Sequence, residues 1–211
     1  GYGFDLPPGV PVLAVSRNTL GYWGDRAPRN PLFLVPNALE PQWLERGDRG
    51  DASGRHRPID VLVQARKSSD YVLADLVPAL RSRGLTVEVQ SGWVDDLVDL
   101  FNSASVYLYD SAEYWRGRGV TEGFGLPPLE AMACGTACVA TDAGADGEVL
   151  AGSADIVMST QGVTTQLRTL LPVLRDQPVL TAELGRRARQ RVLERYTIER
   201  NIDSIERLYR E

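Results

Sequence analysis

Lysine and histidine each occur once in this 211-residue chain, and cysteine only twice. Cys134 and Cys138 are too few for a disulfide scaffold or a thiolate metal site, and both stand in apolar surroundings that suit small buried hydrophobes. His56 lies in a polar stretch with no Ser, Cys or Asp in a partnering position, so no histidine-based catalytic set is legible. Nothing in the spacing of His, Cys and carboxylates asks for a metal. No apolar run approaches the ~20 residues of a membrane span. The opening Gly1-Tyr-Gly-Phe-Asp5 has neither the basic nor the apolar region of a signal peptide. Repeats and low-complexity tracts are absent. A net charge of −5 argues against nucleic acid as the main partner. What remains, 43% apolar and 24% charged residues, is the composition of a soluble globular protein, expected in the cytoplasm.

From Ile59 onward strand-like and helix-like runs alternate, the pattern of a parallel sheet covered on both faces. Strands are expected at 59–65, 85–90, 105–110, 137–141 and 155–158. Helices are expected at 71–83, blemished by Pro78, at 95–102 with Asp95 as its cap, and at 163–175, 179–196 and 198–210. The last two carry apolar residues at i, i+3, i+4 spacing, and their many Arg and Glu residues read as a solvated face. Before this region, 11–15 and 31–36 read as strands around a short helix at 17–23 capped by Ser16. The stretch 45–58, rich in Gly, Arg and Asp, reads as a mobile linker.

The chain is organised around Thr121–Thr136, T-E-G-F-G-L-P-P-L-E-A-M-A-C-G-T. Gly123 and Gly125 permit a sharp turn, Pro127 and Pro128 open a short helix, and Gly135 closes it. No Ser, Thr, Asp or Asn stands ready to cap that helix. Its dipole and the amides of Phe124, Gly125, Leu126 and Leu129 therefore make an anion site. Glu122 and Glu130 flank the turn with seven residues between them. A carboxylate accepts hydrogen bonds and a vicinal diol donates them, so the pair suits sugar rings beside a diphosphate. On spacing alone, Glu130 is equally a helix former in an early turn, and Glu122 a solvated loop charge.

The run E-G-F-G-L-P-P-L-E-A-M-A-C-G-T, continued by A-C-V-A-T-D-A-G-A-D-G-E-V-L, resembles the donor-site signature of glycosyltransferase family 4, retaining enzymes of the GT-B fold. The resemblance covers most of residues 59–150. It implies an α/β fold with a Rossmann-like doubly wound parallel sheet, the C-terminal half of a GT-B glycosyltransferase. It also implies transfer of a sugar, with retained anomeric configuration, from a nucleotide-diphosphate donor that is UDP- or GDP-linked. No cofactor beyond that donor is implied, and the D-x-D metal signature of the other large glycosyltransferase fold is missing.

By the same resemblance Glu122 is expected to hold hydroxyls of the donor sugar, and the backbone of Gly123, Phe124, Gly125 and Leu126 the sugar and phosphate. Glu130 is expected at the ribose hydroxyls, and Arg66 with Lys67 at the departing diphosphate. The family's lysine usually lies a few residues further on, where this chain has Tyr71. Trp93 and Val94 sit in the loop that lies by the nucleobase in the family, although Trp93 reads as readily as a core anchor. The 112–121 stretch is longer than the family's and reads either as a mobile flap over the donor or as a disordered loop. In 142–148 the family often has Gly-Gly, where this chain has Gly144 followed by Ala145.

On this reading residues 1–58 are a lead-in segment and linker from a missing N-terminal acceptor-binding domain. Residues 59–196 are the donor-binding domain, and 197–211 a C-terminal helix. Such a half should bind nucleotide sugar and transfer little or nothing alone. The rivals are a non-catalytic nucleotide-sugar-binding module, a GT-B-fold nucleotide-sugar epimerase and a dinucleotide-dependent oxidoreductase. The nearest fingerprint of the last, Gly117-Arg-Gly119-Val-Thr-Glu122, does not directly follow a strand.

Overall fold

The structure is a computed structural model that describes residues 5–47, 57–150, 156–158 and 163–210. It begins with β1 (Val12–Ala14), α1 (Arg17–Arg26) and β2 (Leu32–Leu34), a parallel strand pair joined by its own helix. Ser16 caps α1 as expected, its hydroxyl accepting from the Thr19 amide while the Ser16 amide donates to the Thr19 hydroxyl. A helix that was not anticipated, α2 (Pro41–Arg46), follows, with proline at its first turn. It takes Glu45 and Arg46 out of the expected linker. At the linker's other end the Arg57 guanidinium is held by the Ala104 and Cys134 carbonyls and the Thr136 hydroxyl. Residues 48–56, including His56, lie outside the described residues.

The main body follows in the order β3 (Ile59–Gln64), α3 (Val77–Ser82), β4 (Val87–Gln90), α4 (Leu97–Asn102), β5 (Ala104–Tyr109), α5 (Ala112–Arg116) and α6 (Leu126–Ala133). It continues through β6 (Ala137–Thr141), α7 (Asp146–Leu150), β7 (Ile156–Met158), α8 (Val163–Asp176), α9 (Pro178–Arg195) and α10 (Ile198–Leu208). The five strands from β3 to β7 form one sheet in the order β4-β3-β5-β6-β7, every pair parallel. The sheet is the Rossmann-like doubly wound one expected, and its winding reverses between β3 and β5, the position where such sheets bind ligands.

Period-two alternation divides the core between the two faces. Val61, Val63, Val106, Leu108 and Val139 pack beneath Val72, Leu76, Leu80 and the Leu167, Leu171 and Leu174 stripe of α8. Leu62, Tyr107, Cys138 and Ala140 meet Phe101, Leu129, Met132, Ala188 and Val192 on the other side. Both cysteines are buried on that second face.

Three local expectations are corrected. The helix expected at 71–83 opens with a π-turn, Val72–Leu76, in which the Val77 amide bonds back to the Val72 carbonyl. The widened turn stands directly before Pro78, which has no N–H to donate to the residue four before it. The cap of α4 is Asp96 rather than Asp95. Asp96 accepts the Asp99 amide at 3.0 Å, while Asp95 is occupied by the Trp93 indole N–H at 3.0 Å. The 112–121 stretch is not a disordered loop: it opens with α5, and the Val120 amide returns to the Trp115 carbonyl at 3.1 Å.

Candidate functional site

Beyond the carboxyl ends of β3 and β5, two loops converge on Glu122. The backbone of Glu122 is fixed first. Its amide donates to the Ala143 carbonyl at 2.7 Å, and its carbonyl accepts from the Ala145 amide at 3.1 Å, so Glu122 forms an extra parallel bridge with Gly144. Gly144 adopts φ +122°, and a Cβ there would stand 2.8 Å from the Thr121 Cβ and 3.1 Å from the Glu122 carbonyl. This close approach is the reason for glycine at 144. The start of α1 adds a clamp from far along the chain. Asn18 Nδ2 donates to Thr121 Oγ1 at 2.8 Å and to the Glu122 carbonyl at 3.2 Å, and Ser16 Oγ donates to the Gly123 carbonyl at 2.7 Å.

The side chain of Glu122 is buried, at 6% exposure. Its Oε2 accepts three bonds: from Lys67 Nζ at 3.2 Å, from Trp115 Nε1 at 2.8 Å and from the Tyr109 hydroxyl. Lys67 donates also to the Tyr109 hydroxyl at 3.3 Å, and its ammonium lies 4.6 Å from the centre of the Trp115 ring and 5.9 Å from that of Tyr109. Lys67 is the one non-glycine residue in the left-handed region among the described residues, at φ +75°. That backbone turns its side chain back over the end of the sheet. Behind it, the buried Asp110 carboxylate accepts from the Ser69 and Thr141 hydroxyls and so ties the loops after β3 and β5 to the end of β6.

Beside this cluster stands the start of α6. Gly125 precedes it in the left-handed conformation, φ +88°, and no side chain caps its first turn. Pro127 and Pro128 have no amide N–H, and those of Gly123, Phe124, Gly125 and Leu126 have no acceptor among the described residues. The Phe124 side chain is buried against Tyr196, so only its backbone faces the turn. Glu130, one turn into α6, is half-buried and makes no hydrogen bond among the described residues. Burial, with the Glu40 carboxylate as a second cause, pushes its pKa up to about 7.

The remaining predicted residues are placed apart. Arg66 is exposed and makes no hydrogen bond or ion pair among the described residues. Tyr71, at the family's usual lysine position, accepts from Arg168 Nε at 3.2 Å instead. Trp93 is 89% exposed at the end of the edge strand β4, which rules out the core-anchor reading, and Val94 beside it is half-buried. Among the described residues no hydrogen bond or ring contact joins either one to the Lys67–Glu122 cluster. Tyr109 and Trp115 were not picked out in the sequence. Tyr109 reads there as one more strand residue, and Trp115 as one aromatic of a long loop. A cleft of about 320 Å³ between Pro36, α9 and α10 is lined by none of the cluster residues. No group of three or more His, Cys, Asp or Glu suited to a metal ion occurs among the described residues. Nor is any described helix long and apolar enough to cross a membrane.

Comparison with known proteins gives three findings. The family model described as "Glycosyl transferases group 1" matches residues 63–175. The chain is 33% identical over 159 residues to the lipopolysaccharide core biosynthesis mannosyltransferase LpcC of Rhizobium leguminosarum bv. viciae, covering 74% of this chain and 43% of that protein. Among solved structures, sucrose-phosphate synthase from Thermosynechococcus elongatus superposes with a TM-score of 0.68 at 18% identity, over 95% of this chain and 57% of that one. HepE of Anabaena, solved in complex with UDP-glucose, superposes with a TM-score of 0.67 at 17% identity, over 95% of this chain and 64% of that one. These neighbours are GT-B glycosyltransferases, and the fold described above is that of their Rossmann-like C-terminal half. The chain spans less than half the length of the mannosyltransferase and about three fifths of these solved chains.

Proposed function

The chain belongs to the glycosyl transferases group 1 family, and we propose that it is the donor-binding half of a retaining, family 4 glycosyltransferase. Its substrate on this reading is a UDP- or GDP-linked sugar. The acceptor is bound by an N-terminal domain of the same polypeptide, and the product is a polysaccharide or glycoconjugate made in the cytoplasm. The observation that carries the proposal is the meeting, at the switch point of the sheet, of the Lys67–Glu122 pair with four amides that have no acceptor among the described residues.

Each residue then has a distinct task. The amides of Gly123, Phe124, Gly125 and Leu126 and the N-terminal end of α6 hold phosphate and sugar oxygens. Glu122 accepts from donor-sugar hydroxyls, and Glu130 from the ribose diol. Trp93 and Val94 meet the base. Negative charge grows on the diphosphate as the glycosidic bond breaks. Lys67, with Arg66 swung in from solvent, opposes that charge most strongly in the transition state, which lowers the barrier rather than merely tightening binding. No metal ligand is assigned.

Isothermal titration with UDP, GDP and ADP, each with and without an attached sugar, tests this. Glu130→Ala is expected to weaken every nucleotide that carries a free ribose diol, and Glu122→Ala only the sugar-bearing ones. Equal losses in both series would overturn the assignment of roles. Sugar transfer by the 211-residue chain alone would overturn its reading as a half-enzyme.

A further inference from the structure

The three donors that reach the Glu122 carboxylate among the described residues all reach the same oxygen. Lys67, Tyr109 and Trp115 converge on Oε2, and Oε1 accepts nothing among the described residues. Nor is Oε1 sealed off: among the described residues the fully buried side-chain oxygens without a partner are Asn102 Oδ1 and Ser111 Oγ. A carboxylate on two rotatable carbons has no preferred orientation of its own. One whose single oxygen is held by an ammonium, an indole N–H and a phenol has only one orientation left.

We infer that Trp115 and Tyr109 are positioning residues that hold Oε2 so that Glu122 meets the donor through Oε1 alone. The inference rests on the donor-binding reading and sharpens it. Glu122 is not a two-oxygen clamp on a diol but a single acceptor whose direction is set by the protein. Trp115 has a second hold, because its ring also carries the Lys67 ammonium at 4.6 Å. α5 thereby fixes the sugar-facing acceptor and the phosphate-facing cation together. The 112–121 stretch supplies the indole, so its place is that of a fixed wall over the ion pair.

The test is calorimetric titration of the 211-residue chain with UDP, UDP-glucose, GDP and GDP-mannose. Trp115→Phe keeps a ring under Lys67 and removes the N–H, Tyr109→Phe removes only the hydroxyl, and Trp115→His restores a ring N–H. Each Phe variant should lose about tenfold in affinity for the sugar-bearing nucleotide that binds, as expected for one lost hydrogen bond to a charged group. Affinity for the free diphosphate should stay within about twofold, and Trp115→His should regain part of the loss. Equal losses with and without the sugar, or no loss, would overturn the inference and leave the donor-binding reading standing. A wild-type chain that binds none of the four would overturn both.

Discussion

The Lys67 ammonium lies 3.2 Å from Glu122 Oε2, with 18% and 8% of the two side chains exposed. The two residues stand 55 positions apart in the chain, and the loops that carry them follow neighbouring strands of the sheet. A pair this sheltered is weakly screened, and removing one partner strands the other. Lys67→Met is therefore expected to lower stability by about 1–3 kcal/mol. Adding Glu122→Gln in the same chain should return part of that loss, because neither charge is then left alone. Urea unfolding of the wild type, both single variants and the double variant measures the coupling; strict additivity would show that the contact is energetically idle.

Glu130 gives the site a pH dependence. Its folded pKa, about 7, lies above the ordinary value of 4.5 because burial disfavours the charged form. The sign follows from proton counting. Between those values the folded chain binds more protons than the unfolded one, so ionisation costs stability, and stability falls as pH rises from about 4.5 through about 7. Nucleotide binding should move the opposite way. A ribose diol needs an ionised acceptor, so affinity should rise as pH passes upward through about 7, with protons released on binding. Glu130→Gln should flatten both slopes. Titrations in buffers of different ionisation enthalpy read the proton release directly, and a wild-type affinity that ignores pH would refute the assignment.

Of the described glycines, Gly185 is the one where an added Cβ would come closest to a neighbouring atom. A Cβ there would lie 1.9 Å from the Gly135 carbonyl oxygen and 2.7 Å from its carbon, backbone atoms that cannot step aside. Gly185→Ala is expected to destabilise by more than about 3 kcal/mol or to prevent folding, since α9 would have to lift off the corner between α6 and β6. Gly21→Ala is the control. Gly21 is inside α1 with nothing within 4 Å of its added Cβ, and there the substitution should stabilise by roughly 0.5–1 kcal/mol. Equal midpoints for the two variants in thermal unfolding would contradict the packing described.

Ser111 is fully buried, and its hydroxyl has no partner among the described residues. An unmet buried hydroxyl costs free energy, so Ser111→Ala should leave stability unchanged or raise it by up to about 1 kcal/mol. A fall of that size in a denaturant titration would reveal a partner for Oγ.

Much of the architecture was legible because it depends on local periodicity. Val61, Leu62 and Val63, and Val106 through Tyr109, read as strands buried on both sides and are so. The alternation of strands and helices specified a parallel sheet, and the places where boundaries moved have local causes, such as the π-turn before Pro78 and the cap at Asp96. α2 escaped notice because its six residues are too few to show a period.

The turn at 121–136 was set by its own residues. Glycines at 123 and 125, prolines at 127 and 128 and no capping side chain determine an uncapped helix start wherever the chain carries them, because those constraints act within a few bonds. What Glu122 touches was decided elsewhere. Lys67 reaches it from a left-handed backbone that no propensity assigns to lysine, Tyr109 from the end of β5, Trp115 from α5, and the clamp of Ser16 and Asn18 from more than a hundred residues away. Such meetings depend on strand order and on the direction each loop leaves the sheet, and these exist only once the chain has closed on itself.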